Sequence, residues 1–288
     1  MSKNILIYQA YGLKEILYEC IYSIYTLHTF KSDVDQIVIY TDQKEVFSSL
    51  LPERLNINYC SIDQDTIQKW KGEFNFVHRV KIKVIQDTIH KYGNENINYL
   101  YLDTDTTFIT SPDVLFTSIQ NGHLIMHQNE GEITKASKNL VFKKLKKHLD
   151  TNYEHQKFNN EMWNAGVLGW NSRYNDLIEK VLTMTDDMYP SYQKHIVEQF
   201  AFTTIFNQSA KVESAEDSIY HYWNFKEFRQ VLAEFFEKNT NEEDITNKIK
   251  NIDPQVLSIP KRNYEDMPFI KKNLYKLKGK WKMPDYEI

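Results

Sequence analysis

The run Asn98-Tyr99-Leu100-Tyr101-Leu102 has no polar alternation and stops abruptly at Asp103-Thr104-Asp105. A strand of that kind must be covered on both faces, as in the middle of a parallel sheet flanked by helices. The chain ahead of it supplies the neighbours. Residues 4–8 are apolar and end in Gln9-Ala10-Tyr11-Gly12, after which Leu13, Leu17, Cys20, Ile24 and Leu27 recur at helical spacing. Gln36 to Tyr40 reads as a second strand closing on Thr41-Asp42, Ile57 to Ile62 as a third, and 44–51 as the helix between them. Val77 to Tyr92 reads as a helix with Ile82, Ile85, Ile89 and Tyr92 inward, Arg79 and Lys83 sharing another face, and Gly93-Asn94 as its stop. Strand and helix in alternation predict βαβ units and an α/β fold around a mostly parallel sheet.

Further along, the pattern predicts a strand at 123–127, a turn at Asn164-Ala165-Gly166 leading into a strand from Val167, and helices over 173–188, 194–206 and 225–238. Residues 241–250 are polar and expected to be exposed. The 288 residues, 41% hydrophobic and 26% charged, have the mixture of an ordinary globular chain, and one continuous unit over 1–260 is expected, with a basic, aromatic tail at 261–288. A formal charge of -4 argues against nucleic acid as a partner. Cys20 and Cys60 stand alone, so neither a disulfide framework nor a Cys-rich metal knuckle is expected. The opening residues lack the apolar core of a signal peptide, no run approaches a membrane span, and a cytoplasmic protein is expected.

Ligands of such sheets bind beyond the carboxyl ends of the strands, where the 9–12 turn and the 103–105 triplet both fall. Carboxylates at i and i+2 of an extended segment point the same way and make a hard oxygen site for a divalent cation. A DxD triplet alone is common in turns. At the end of a buried strand, however, two like charges cost several kcal/mol unless a cation or strong donors compensate them.

Tyr99 to Asp105 resembles the DxD segment of GT-A fold glycosyltransferases, in particular the retaining galactosyl- and glucosyltransferases of the family 8 type. Asn164-Ala165-Gly166-Val167-Leu168 is similar to the NAG segment of that family, Glu198-Gln199 to its acidic-Gln pair, and His221-Tyr222-Trp223 to its late His-aromatic segment. The order of motifs matches over residues 4–226. The match departs after Trp223, where the family usually continues with Gly and then Lys-Pro-Trp and this chain reads Asn224-Phe225-Lys226.

The resemblance implies a Rossmann-like GT-A domain with a helical C-terminal region and a metal site of Asp103, Asp105 and His221, filled by Mn or Mg. It implies transfer of a hexose, with retention, from a nucleotide diphosphate sugar such as UDP-Gal or UDP-Glc to a glycan or glycolipid hydroxyl. Gln199 and Glu198 would face the anomeric carbon. Candidate donor contacts are Tyr8, Ala10 and Tyr11 after the first strand, Asp103 and Thr104, the Asn164-Ala165-Gly166 turn, and Lys226. Arg79 and Lys83 are candidates for the donor phosphates, or else a solvated pair on a helix face. His78 and His195 carry no motif.

Two other readings of the same residues stay open. Asp103-Thr104-Asp105-Thr106-Thr107 could be the DxDxT of a haloacid-dehalogenase-like phosphatase with Asp103 as nucleophile, although roughly 100 residues of α/β pattern precede it and Asp186-Asp187 fall in a helical stretch. A nucleotide- or glycan-binding protein without catalysis would keep the same motifs. Residues 261–282 hold eight Lys or Arg among Tyr264, Phe269, Tyr275 and Trp281, a composition suited to the anionic inner face of a membrane or to an ordinary packed terminus. The oligomeric state, the sugar and the acceptor are left open.

Overall fold

The computed structural model describes residues 2–93, 96–154, 158, 160–277 and 279–288. Asn94 of the expected helix stop and Lys278 of the basic tail lie outside them.

In chain order the first half runs β1 (Lys3–Gln9), α1 (Lys14–Leu27), β2 (Gln36–Thr41), α2 (Lys44–Leu50), β3 (Ile57–Ser61), α3 (Gln64–Lys71), α4 (Arg79–Tyr92), β4 (Ile97–Leu102), β5 (Thr106–Phe108), α5 (Asp113–Gln120), β6 (Leu124–Met126) and β7 (Asn129–Glu132). The second half runs α6 (Leu140–Asn152), β8 (Glu161–Trp163), β9 (Val167–Asn171), α7 (Asp176–Met188), α8 (Ile196–Ser209), β10 (Val212–Ser214), β11 (Ile219–His221), α9 (Phe228–Lys238), α10 (Glu242–Lys248), α11 (Pro254–Leu257), α12 (Ile259–Glu265) and α13 (Phe269–Leu277).

Among the described residues the central sheet has seven strands in the order β10-β6-β9-β4-β1-β2-β3. β1 pairs in parallel with both β2 and β4, and β2 with β3, as the alternating pattern predicts. β9 is the reversed strand, antiparallel to β4 and to β6.

Both faces of the sheet are covered, which is why β4 is buried throughout and apolar but for Asn98, whose amide bonds Asn171 of β9. Leu100 and Leu102 join a cluster built with α1, α5, α9 and the segment after α10, whereas Tyr99 and Tyr101 join a second cluster with α4, α7 and α8. Tyr99 stacks on Trp170 of β9, ring centroids 5.0 Å apart. Residues 241–250 are mostly exposed, as expected, except that Ile245 and Ile249 are buried in the first cluster, since two apolar residues four apart suffice to seat a short helix that is otherwise polar. Beyond α13, Trp281, Met283, Tyr286 and Ile288 are partly buried against the same cluster. No helix among the described residues is long and apolar enough to cross a membrane.

Candidate active site

Three features of the topology bring the motif residues together. β4 ends at Leu102 and the chain bends at Thr104 and Asp105, leaving the Asp103 carboxylate on the Tyr101 hydroxyl (3.0 Å) while the Thr104 hydroxyl reaches Glu19 (3.5 Å). The reversal of β9 pairs Leu102 with Val167, so the Asn164-Ala165-Gly166 turn lies beside the triplet and Asp103 donates its backbone N–H to Gly166 O (2.8 Å). The antiparallel β5–β11 ribbon puts His221 opposite Thr106, and Tyr222 donates its backbone N–H to Asp105 O (2.9 Å). Residues spread over more than a hundred positions thereby line one cavity of about 450 Å³.

Asp103, Asp105 and His221 each offer a ligand atom, all within 4.8 Å of one another. His221 Nε2 lies 3.0 Å from Asp105 Oδ1, and its Nδ1 lies 3.1 Å from Asn164 Oδ1. The Asn164 amide has its orientation fixed from both ends. Its Oδ1 accepts from Gly166 N–H (2.9 Å), and its Nδ2 donates to Glu130 Oε1 (2.9 Å). Its oxygen therefore faces His221, so Nδ1 carries the imidazole hydrogen and Nε2 points toward Asp105. A ligating imidazole is ordinarily held in this way through its other nitrogen. Two adjacent ligands of an octahedral ion at about 2.1 Å would themselves stand about 3 Å apart, so the donor set fits a hard divalent cation.

Cations of the protein surround these acids. Lys226 donates to Asp105 Oδ2 at 2.6 Å. Burial would push the Asp105 carboxyl up, but His221 and Lys226 outweigh it and hold it well below the usual carboxylate range. Lys81, 5% exposed, reaches Asp103 at 3.2 Å, Glu198 at 3.4 Å and Ala165 O at 3.0 Å, and lies over the Tyr101 ring. Burial opposes its charge, yet Asp103 and Glu198 together raise its pKa. Glu198, 3% exposed, is pushed up to about 7 by burial, with Lys81 pulling it down and Asp103 adding to the rise. Gln199 donates from Nε2 to Glu130 Oε2 at 2.8 Å.

Several of the candidate residues lie away from this cavity. Tyr8 is fully buried and bonds Ser23 inside the first cluster, and Ala10 is equally buried, because both continue the inward alternation of β1. Tyr11 is partly buried against the second cluster and does not line the cavity. Thr104 reaches Glu19 of α1 (3.5 Å) and does not line the cavity. Arg79 is engaged with Asp186 (2.7 and 2.9 Å) and Trp70 O, and Lys83 with Gln86 (2.6 Å). Both stand on a part of α4 turned from the site; the residue between them, Lys81, occupies it. Asn164, Ala165, Gly166, Glu198, Gln199 and Lys226 all line the cavity, and so do the histidines without a motif, His78 and His195.

Lys81 had a signal in the sequence, since it lies one helical turn before Ile85 and so falls in the apolar stripe of α4. Glu130 had none, because the β7–β8 hairpin that carries it pairs across the α6 insertion. Neither Asp186 nor Asp187 lines the cavity, which leaves the phosphatase reading without its second acid.

No family model matches the chain, and no curated protein matches it by sequence. Among solved structures it is similar to the apo-form glycosyltransferase GlyE of Streptococcus pneumoniae (TM-score 0.51, 13% identity, 85% of this chain and 62% of that one). It is also similar to the bifunctional glycosyltransferase WbbM (TM-score 0.50, 10% identity, 74% and 39%). Mouse xyloside xylosyltransferase 1 gives a TM-score of 0.49 at 12% identity over 74% of this chain and 85% of that one. At such identities the first two speak for architecture, and the chain has the GT-A type α/β fold that these glycosyltransferases represent.

Proposed function

We propose that the chain is a metal-dependent glycosyltransferase that moves a hexose from a nucleotide diphosphate sugar, UDP-Gal or UDP-Glc, to a hydroxyl of a glycan or glycolipid. The observation that carries this reading is the His221 imidazole. With its Nδ1 hydrogen given to Asn164, its Nε2 faces the Asp105 carboxylate at 3.0 Å, a contact that calls for a proton or a metal ion between the two atoms. Asp103 within reach as a third ligand favours the metal.

Asp103, Asp105 and His221 would hold the ion, and an oxygen-plus-imidazole set suits Mn better than Mg. When bound, it would neutralise the donor diphosphate and stabilise the charge that grows on the leaving group, an effect worth several kcal/mol in a preorganised site. Lys226 has a side chain about half exposed and can turn from Asp105 to a phosphate oxygen. Lys81 keeps Asp103 and Glu198 from repelling each other behind the donor. Asn164 orients His221, and Gln199 with Glu198 lines the wall nearest the reacting sugar carbon. The expected outcome is Mn-dependent turnover of a UDP-hexose that Asp105→Ala abolishes. Undiminished turnover in that variant would remove the metal from the mechanism, and binding without turnover of any donor would leave a nucleotide-binding protein.

Residues 1–260 then form the catalytic unit and 261–288 an accessory tail, with the protein cytoplasmic and peripheral at the inner face of the membrane. Helix α13 supports this reading, since Phe269 and Ile270 are each 76% exposed beside Lys271 and Lys272. Replacing both apolar residues by Ser should lower binding to anionic vesicles, and equal binding would argue against a membrane role.

A further inference from the structure

Glu130 accepts one hydrogen bond on each carboxylate oxygen, from Asn164 Nδ2 (2.9 Å) on one and from Gln199 Nε2 (2.8 Å) on the other. We propose that Glu130 is a positioning residue that fixes the polarity of both amides, so that Gln199 presents its carbonyl oxygen, and not its NH2, to the cavity.

The inference rests on hydrogen-bond inventory. An ionised carboxylate offers only lone pairs, so any amide facing it must do so with its nitrogen. For Asn164 the consequence is already visible: with Nδ2 on Glu130, the oxygen is left for Gly166 N–H and His221 Nδ1. Gln199 follows the same logic from the other oxygen. Its Nε2 is committed to Glu130, and among the described residues no hydrogen bond occupies Oε1 of this amide, which lines the cavity. One carboxylate on the β7–β8 ribbon thus connects His221, through Asn164, to Gln199 on α8 in a single chain of hydrogen bonds. Such networks are sensitive to the loss of any member.

Chemically, a carbonyl oxygen aimed into the site stabilises developing positive charge, whereas an amide NH2 opposes it. On the glycosyl-transfer reading above, which this step presupposes only for its kinetic part, the sugar carbon becomes oxocarbenium-like as the leaving group departs. Glu130 therefore decides, through Gln199, whether that change is assisted or hindered.

The test exploits an asymmetry between Glu and Gln. In Glu130→Gln the new side chain has one acceptor and one donor. Asn164 is pinned by Gly166 and His221, so the single acceptor goes to Asn164 and Gln199 must rotate its amide to receive the new NH2. In Gln199→Glu two carboxylates face each other. The double variant Glu130→Gln/Gln199→Glu keeps the bond from Asn164 and restores the one between 130 and 199 with donor and acceptor exchanged. Thermal unfolding of the four proteins without ligand reads the coupling independently of any activity, and the expected result is that both single variants lower Tm while the double variant recovers toward wild type. Donor turnover should show Glu130→Gln lowering kcat on the order of tenfold to a hundredfold with KM for the donor changed by less than about threefold, and partial recovery of kcat in the double variant. Additive Tm losses in the double variant would overturn the clamp, and so would a Glu130→Gln enzyme with unchanged kcat. Coupling in Tm with no turnover in any of the four proteins would uphold the clamp and refute the glycosyltransferase reading instead.

Discussion

Gly166 should be intolerant of even one added methyl group, for a reason confined to the metal site. Its backbone is not in the left-handed region, so alanine there meets no conformational penalty. A Cβ at 166 would instead collide with Cε1 and Nδ1 of His221 and stand 3.0 Å from Asn164 Oδ1. The Asn164 oxygen is anchored by the Gly166 N–H, and His221 is 8% exposed with the His127 ring 5.3 Å away, so the imidazole has little room to retreat. Overpacking of this kind costs about 1–3 kcal/mol, which for a chain of this size corresponds to a Tm lowered by about 2–10 °C. Displacing His221 from the support of Asn164 should also weaken Mn binding by about 10- to 100-fold, as loss of an outer-shell contact does. Gly169→Ala is the control: its Cβ would meet Ile119 and Ile125 at 2.8 and 2.9 Å in the sheet core, so it should lose stability without changing Mn affinity. The assays are thermal unfolding and Mn titration of Gly166→Ala, His221→Ala and the pair together. With the ring removed, most of the Gly166→Ala penalty should vanish, a coupling of about 1–3 kcal/mol between the two sites. An equal penalty in the presence and absence of His221, or wild-type Mn affinity in Gly166→Ala, would refute the reasoning.

Lys81→Met should leave Asp103 and Glu198 facing each other without a cation and cost about 3–5 kcal/mol in urea unfolding; a loss below about 1 kcal/mol would mean that the buried lysine compensates neither acid. Glu198, held up to about 7 in the folded protein against about 4.3 in the unfolded chain, binds its proton in the folded state through that window, so its contribution to stability falls as pH rises from about 4.3 to 7. Unfolding free energies of wild type and Glu198→Gln measured without metal should therefore diverge across that range, wild type losing stability relative to the variant, and parallel curves would contradict the raised value. Thr104→Val and Arg79→Met, altering residues that face Glu19 and Asp186, should each leave UDP affinity within about twofold by calorimetry; a tenfold loss would return either one to the donor site.

What could be read without coordinates was whatever obeys a local period. β1, β2, β3 and β4 fall where their apolar runs lie, and the DxD triplet sits at a strand end because an unbroken run such as Asn98–Leu102 has no other use. On α4 the pairing of Arg79 with Lys83 followed the i, i+4 rule but not the phase of the apolar stripe, and the lysine that reaches Asp103 is the one inside the stripe. The reversal of β9 has no local signature, since its direction is set by pairing with β4 and β6, and Glu130 belongs to a hairpin closed across α6 by contacts that no window of sequence contains. Tyr8 is a different case: a tyrosine near the end of a strand has a polar tip, and here its hydroxyl is satisfied by Ser23 within the core.

The central claim, a metal-dependent nucleotide site built on Asp103, Asp105 and His221, is tested most directly by thermal unfolding of the purified protein with UDP, GDP or ADP in the presence of Mn, Mg or EDTA. A nucleotide at 100 times its dissociation constant stabilises by about 2.7 kcal/mol, well within reach of the method. The account predicts a UDP-induced rise in Tm that requires Mn, is smaller in Mg, and is absent in EDTA and in Asp105→Ala. A rise with UDP that persists in EDTA or in Asp105→Ala, or no rise with any nucleotide at saturating Mn, would contradict it.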